Sequence, residues 1–267
     1  MRETITTATD GSGEHDPCRA QKYWRGISLT GGAPACGAQK RSAKEHADAA
    51  NHGCGVCGAS ATRPFLSVDG RDYRRCDCCQ ATFLNPAQRL SPDAEHAHYL
   101  QHRNDPAGAD YRRFLSKLAD PLLKRLAPHR DGLDYGCGPG PALAQMLCEA
   151  GHRVSVFDPY FFPDPAPLDC RYDFITCTEA IEHFHRPAEE FARFERMLRP
   201  GGWLAVMTCF QADDGRFASW HYRRDPTHVV FYRETTLRYI AQGFAWSCEI
   251  PVKDVALMQK PLNLNNG

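Results

Sequence analysis

The sequence predicts an α/β chain in which a doubly wound, mostly parallel sheet follows a small cysteine-marked module. Three observations lead there. From Gly132 onward strand-like and helix-like segments alternate, the strand at 132–135 runs straight into three alternate glycines and a helix, and four cysteines in two pairs precede this region.

Residues 1–50 are rich in Thr, Gly, Ala, Ser and mixed charge, with the breaker cluster Thr30-Gly-Gly-Ala-Pro, and read as a disordered tail. Residues 51–90 form the cysteine module, with strand-like pieces at 63–68 and 81–84. Residues 91–131 read as a helical connector, because Tyr111, Phe114, Leu115, Leu118 and Leu122 recur at spacings of three and four. This connector is expected to pack on the edge of the α/β region. In residues 132–260, strands are expected at 132–135, 153–158, 172–178 and 203–210, and helices at 141–151, 188–198 and 234–241. Two strands, 245–250 and 254–259, close the sheet, and 261–267 are a tail.

Composition removes several function classes. Lys plus Arg number 32 against 32 Asp plus Glu, so no global charge excess exists to hold a polyanion. No apolar stretch approaches the roughly 18 to 20 residues of a membrane span, and the start lacks the apolar core of a signal peptide. A cytoplasmic protein is expected. Its 13 cysteines are odd in number and do not make a complete disulfide framework. Cys177, Cys209 and Cys248 fall in apolar strand-like runs, where a thiol acts as a small hydrophobe, whereas Cys18 and Cys36 stand in polar sequence.

The most informative stretch is Leu133-Asp134-Tyr135-Gly136-Cys137-Gly138-Pro139-Gly140. Gly136, Gly138 and Gly140 let the backbone turn sharply and approach a ligand closely. Asp134, two residues before the first glycine, would oppose a pyrophosphate but suits a ligand with an ammonium and a sulfonium group. Asp158, at the end of the next strand, can accept hydrogen bonds from both hydroxyls of a ribose. Ribose plus cation points to S-adenosylmethionine.

With Tyr172-Asp-Phe-Ile-Thr-Cys-Thr178-Glu179-Ala-Ile-Glu182-His183 and Leu198-Arg-Pro-Gly-Gly-Trp-Leu204 added, the chain resembles the class I S-adenosylmethionine-dependent methyltransferases over about residues 107–260. The resemblance implies a Rossmann-like methyltransferase sheet with its last strand antiparallel, and cofactor contacts from Asp134, Gly136, Gly138, Gly140, Asp158 and Thr178. One departure stands out. Only a short segment with four prolines separates Asp158 from Asp173, so the usual third strand and the helix before it should be missing. Tyr160 and Phe161 are then candidates for an aromatic wall beside the adenine.

Glu179, Glu182 and His183 follow at i, i+3 and i+4, and would share one face if helical. Two carboxylates and an imidazole there can hold a divalent cation such as Mg²⁺, which lowers the pKa of a bound hydroxyl. Similar patches occur in ubiquinone-pathway O-methyltransferases and small-RNA 2′-O-methyltransferases, where a later histidine completes a metal site. His228, in the segment 220–232, is the candidate for that later histidine. The plainer alternative makes Glu179 and Glu182 solvated carboxylates, His183 a general base or packing group, and His228 a loop anchor. His185 reads as a surface residue. Trp220, Tyr222, Arg223 and Arg224 face either a planar or anionic substrate or solvent.

Cys54, Cys57, Cys76 and Cys79 give C-x2-C-x18-C-x2-C, the ligand set of a structural zinc ribbon. Cys78 is a rival for the register of Cys79, and a redox pair would leave the second pair unexplained. Ribbons ahead of methyltransferase domains resemble antibiotic-sugar C-methyltransferases and certain ribosomal-RNA guanine methyltransferases. The module carries five arginines against three aspartates, too small an excess to argue for RNA. The expectation is a zinc-ribbon methyltransferase acting on oxygen or carbon of a small molecule, with Glu179, Glu182, His183 and His228 facing the acceptor. The alternatives are an RNA-directed enzyme and a non-catalytic zinc-ribbon adaptor. A nicotinamide dehydrogenase is disfavoured by the glycine spacing and by Asp134.

Overall fold

The computed structural model describes residues 53–101 and 105–262. The expected tail at 1–50, with Cys18 and Cys36, lies outside the described residues, as does most of 261–267.

The module opens with strands β1 (Thr62–Val68), β2 (Arg71–Cys76) and β3 (Thr82–Leu84), paired antiparallel in that order. β2 has no apolar pattern, and it forms because its alternate residues Tyr73 and Arg75 turn inward. The connector is two helices, α1 (Pro92–Tyr99) and α2 (Ala109–Leu123). The Asp105-Pro106 step and Gly108, the N-cap of α2, separate them. Ser91 caps α1 through Ala94 N–H, with Pro92 at the first helical position.

The second half runs β4 (Asp131–Tyr135), α3 (Ala142–Glu149), β5 (Arg153–Phe157), β6 (Tyr172–Thr178), α4 (Pro187–Met197) and β7 (Leu198–Met207). The short helix α5 (His221–Arg224), strand β8 (Val230–Phe231), helix α6 (Glu234–Gly243), and strands β9 (Ser247–Val252) and β10 (Val255–Gln259) come next. The main sheet has the order β5-β4-β6-β7-β10-β9. β4, β5, β6 and β7 are parallel, and β10 is antiparallel to both neighbours. β5 is an edge strand, because only the 3-10 turn Ala166–Asp169 stands between it and β6. The missing third strand is as expected from the prolines.

Three expectations change. The connector packs on a face of the sheet rather than its edge: Leu115, Leu118 and Leu122 of α2 share a core with Leu143, Leu147, Phe174 and Trp203. β7 starts at Leu198 rather than 203, since Leu198 pairs with Tyr172 and a register shift absorbs the Pro-Gly-Gly stretch. β8 joins the module's sheet, pairing Val230 with Phe83 and Phe231 with Thr82. The opposite core is therefore continuous from Cys54, Tyr73 and Leu84 of the module to Phe191, Phe194 and Leu204 under the sheet. Among the described residues, no helix is long and apolar enough to cross a membrane.

Candidate active site

The chain order reverses beside β4: β5 lies on one side of it and β6 on the other. Open α/β sheets bind ligands in the crevice at such a point, beyond the carboxyl ends of the strands. Here that crevice is a cavity of about 770 Å³. Asp134, Gly136, Gly138, Asp158, Thr178, Glu179, His183 and His228 all line it.

The glycine loop has the conformation its composition requires. Gly136 and Gly138 have φ of 72° and 64°, a region costly for other residues. A Cβ on Gly136 would come within 2.6 Å of the Ala180 Cβ. Gly140 is buried, and its carbonyl accepts from Ala142 N–H at the start of α3. Asp158 fastens the loop. One carboxylate oxygen accepts from Gly138 N–H at 2.9 Å, the other from Tyr160 N–H and Phe161 N–H at 2.9 and 3.1 Å. Tyr160 and Phe161 line the cavity, as expected of an aromatic wall, and Tyr160 stacks on His96 of α1.

Asp134 is 3 % exposed and accepts from Thr176 Oγ1 at 2.7 Å. Burial pushes its carboxyl up to about 6, against the pull of the Thr176 hydroxyl and the Ala144 N–H. The Thr178 hydroxyl is buried and has no hydrogen-bond partner. A buried hydroxyl facing a cavity in this condition suits a ligand that completes it.

Glu179 and Glu182 do not lie on an α-helix, and Glu182, expected to face the acceptor, is fully buried behind the cavity lining that Glu179 and His183 form. Glu179 has φ of 47°, and Ile181–His183 form one 3-10 turn. The expected common face is therefore split, and the cluster whose ligand atoms lie within 4.8 Å of one another is Glu182, His183 and His228. Glu182 is fully buried rather than solvated, and accepts from Thr208 Oγ1 at 3.0 Å and from the Tyr222 hydroxyl. The same hydroxyl oxygen lies 3.1 Å from Glu179 Oε2, so Tyr222 stands between the two carboxylates. Burial raises both carboxyls above the usual range, and the charge of Glu182 raises Glu179 further.

Each histidine is oriented by a backbone carbonyl. Nδ1 of His183 donates to Thr227 O at 3.1 Å, and Nδ1 of His228 to Tyr222 O at 2.7 Å. A carbonyl only accepts, so both rings carry a proton on Nδ1, and Nε2 of each is turned towards a carboxylate, Glu182 at 4.0 Å for His183 and Asp225 at 3.9 Å for His228.

Other residues take roles the sequence did not reveal. His185 is no simple surface group: its Nε2 lies 2.7 Å from Oε1 of buried Glu95, which also accepts from Tyr160 OH. Arg223 faces neither substrate nor solvent, being 1 % exposed and paired with Asp69. Tyr99, Tyr111 and Phe114 bring the connector over the cavity. The helical spacing of Tyr111 and Phe114 was visible in the sequence; Tyr99 and the face all three turn to the site were not. Thr176 and Thr208 carried no signal at all, being ordinary strand threonines until the fold sets them against Asp134 and Glu182.

In the cysteine module, Cys54 and Cys79 Sγ are 3.6 Å apart, as are Cys57 and Cys76, and all four sulfurs lie within 4.8 Å of one another. Four zinc–sulfur bonds of about 2.3 Å in a tetrahedron separate sulfurs by about 3.8 Å, so the set fits the ion.

The family described as "Methyltransferase domain" matches residues 99–248. Two curated relatives come from Bordetella avium. The biotin biosynthesis bifunctional protein BioCD is 33% identical over 128 residues, 40% of this chain and 26% of that protein. The ubiquinone biosynthesis O-methyltransferase is 23% identical over 173 residues, 56% of this chain and 65% of that protein. The chain thus spans about a quarter of one relative and 65% of the other. Among solved structures, the Burkholderia thailandensis 1,6-didemethyltoxoflavin-N1-methyltransferase, with 1,6-didemethyltoxoflavin and S-adenosylhomocysteine bound, is 18% identical. That match covers 74% of this chain and 99% of that one, with a TM-score of 0.39.

Proposed function

Because the chain belongs to the methyltransferase-domain family, we propose that it transfers the methyl group of S-adenosylmethionine to an oxygen or carbon of a small-molecule acceptor. The observation that carries this reading is that one cavity is lined by Asp134 and Asp158 and also by His183 and His228. Asp134 takes the ammonium of the cofactor's methionine end, Asp158 the ribose hydroxyls, and Thr178 Oγ1 a polar group of the cofactor. Gly136, Gly138 and Gly140 let the chain close around it. Bound there, the cofactor supplies an electrophilic sulfonium methyl. The protein's part is to hold the acceptor in line with it, shielded from water by Tyr99, Tyr111 and Phe114.

Glu182, His183 and His228 would hold a divalent cation such as Mg²⁺, whose chemistry is to lower the pKa of an acceptor hydroxyl. Glu179, joined to them through Tyr222, faces the same cavity as a further carboxylate. The printed name of the ubiquinone relative favours oxygen as the atom methylated. Cys54, Cys57, Cys76 and Cys79 hold a structural zinc ion, which leaves no coordination position open for a substrate. The division into a ribbon at 51–90, a connector at 91–131 and a methyltransferase domain at 132–260 is retained as a functional one, in the cytoplasm.

Asp134 makes the reading testable by pH. With its carboxyl at about 6, a cation binds without proton release above pH 7. Below 6 the cavity carboxyl is protonated, and binding must expel that proton. S-adenosylhomocysteine affinity measured by calorimetry should be flat from pH 7 to 8, then fall towards tenfold per pH unit below 6. Without ligand the sign is reversed. The folded state holds an extra proton between the ordinary value of 3.8 and about 6, so this residue's contribution to stability declines across that window as pH rises. An affinity unchanged from pH 8 to 5 would remove Asp134 from the cofactor site. The acceptor class is tested with radiolabelled methyl groups and a panel of hydroxylated small molecules beside bulk RNA. Label is expected in the small molecules; label in RNA alone would overturn that part of the reading.

A further inference from the structure

His183 and His228 come from separate motifs, yet both depend on one short segment that the cysteine module helps to build. On one side of that segment, Val230 and Phe231 pair with Phe83 and Thr82, and Leu84 N–H donates to Val229 O at 2.9 Å. On the other, Val229 N–H donates to Glu182 O at 2.9 Å, and His183 is held by Thr227 O. His228 lies two residues before the strand.

Tyr232, which ends the segment, is fully buried in the core that contains Cys54 and Cys79. Its hydroxyl donates to Ile181 O at 3.0 Å, at the start of the turn bearing Glu182 and His183. Burial, then the charge of Glu182, pushes its phenol far above the ordinary value, so the hydroxyl remains a donor.

The module grips the same region elsewhere. Ala188 N–H, at the start of α4, donates to Gly55 O inside the first cysteine knuckle at 3.0 Å. Arg75 pairs with Asp214 and Asp69 with Arg223, tying the connection between β7 and β8 to the ribbon at two points. Both arginines are almost fully buried, whereas Asp214 and Asp69 are exposed, so each pair joins an interior guanidinium to a carboxylate at the surface.

We propose that Tyr232 is a positioning residue that couples the four-cysteine site to the Glu182–His183–His228 cluster, so that the metal-loaded ribbon sets the geometry of the acceptor-facing histidines. The coupling rests on the proposed cation-binding role of that cluster. It makes the zinc ion more than a staple for a small module. Cys54 and Cys79 would be held by the ion, Tyr232 belongs to the same continuous core, and its hydroxyl holds the turn. Phenylalanine at 232 keeps the ring in the core and removes only the donor to Ile181 O. That carbonyl then retains the Phe184 N–H at 3.2 Å from within its own turn, and nothing ties the turn to the ribbon at that point.

The test uses full-length, zinc-loaded Tyr232→Phe beside the wild type. Zinc content and S-adenosylhomocysteine affinity should be unchanged, because Tyr232 does not line the cofactor cavity. Mn²⁺ affinity, read by electron paramagnetic resonance, should fall about 10- to 100-fold, as it does when a group that orients metal ligands is lost. In the absence of Mn²⁺, the ¹⁵N Nδ1 signal of His183, assigned with His183→Gln, should shift as its bond to Thr227 O loosens. Wild-type ring signals for His183 and His228 in the variant, or equal Mn²⁺ affinity in the two proteins, would overturn the coupling. Should neither protein bind Mn²⁺, the cation reading fails, and the ring signals alone decide the coupling.

Discussion

Replacing Asp158 by alanine is expected to weaken S-adenosylhomocysteine binding by at least about 100-fold, equivalent to roughly 2.7 kcal/mol. The carboxylate does two things at once. It accepts three backbone N–H bonds, from Gly138, Tyr160 and Phe161, and so fixes both the glycine loop and the aromatic segment that replaces the third strand. It is also the ribose acceptor in the proposed complex. Hydrogen bonds to a charged group contribute about 1.5–3 kcal/mol each, so losing even one of the three together with a ribose contact accounts for the effect. Asp158→Asn keeps the shape and part of the acceptor capacity, and should fall between wild type and alanine. Equal affinity for all three proteins in calorimetry would contradict the assignment.

Cys76→Ser should have the largest effect on stability. Cys76 is completely buried at the end of β2, and its Sγ lies 3.6 Å from that of Cys57. Removing one of four thiolates would release the proposed zinc ion, and loss of a structural metal belongs among the changes costing more than about 4 kcal/mol. At about 2–4 °C per kcal/mol for a domain of this size, the melting temperature should drop by roughly 10 °C or more. The form of the transition is as informative as its midpoint. β8 belongs to the ribbon's sheet and the core runs unbroken from Cys54 to Phe194, so ribbon and methyltransferase domain should melt together. Scanning calorimetry with parallel zinc analysis checks this. A zinc-free variant that melts like the wild type, or a separate early transition confined to the ribbon, would contradict the shared core.

Much of the sheet was legible because its strands are apolar runs bounded by clear breakers. β6 fell at the expected residues, and the prolines after Asp158 foretold the absent strand. β2 was not legible. Arg71-Asp-Tyr-Arg-Arg carries no strand pattern, and what makes Arg75 an interior residue is Asp214, far along the chain. The glycine loop, Asp134 and Asp158 were visible as a local motif because a strand-to-helix turn is built from neighbouring residues. Glu182, His183 and His228 could be nominated from residue type, but their meeting depends on Val229 and Thr227 bonding back to the turn. Glu179 was grouped with them on a helical spacing that its positive φ breaks. Tyr232 had no signal of its own: an aromatic after Val-Val-Phe reads as core, and only the fold sets its hydroxyl against Ile181.

Calorimetric titration of the zinc-loaded wild type with S-adenosylhomocysteine at pH 7.5, with and without Mg²⁺, tests the central claim most directly. The account predicts single-site, micromolar binding that Mg²⁺ leaves unchanged, since the Glu182–His183–His228 cluster shares no residue with the proposed cofactor contacts Asp134 and Asp158. An absence of binding up to millimolar ligand, in either condition, would contradict it.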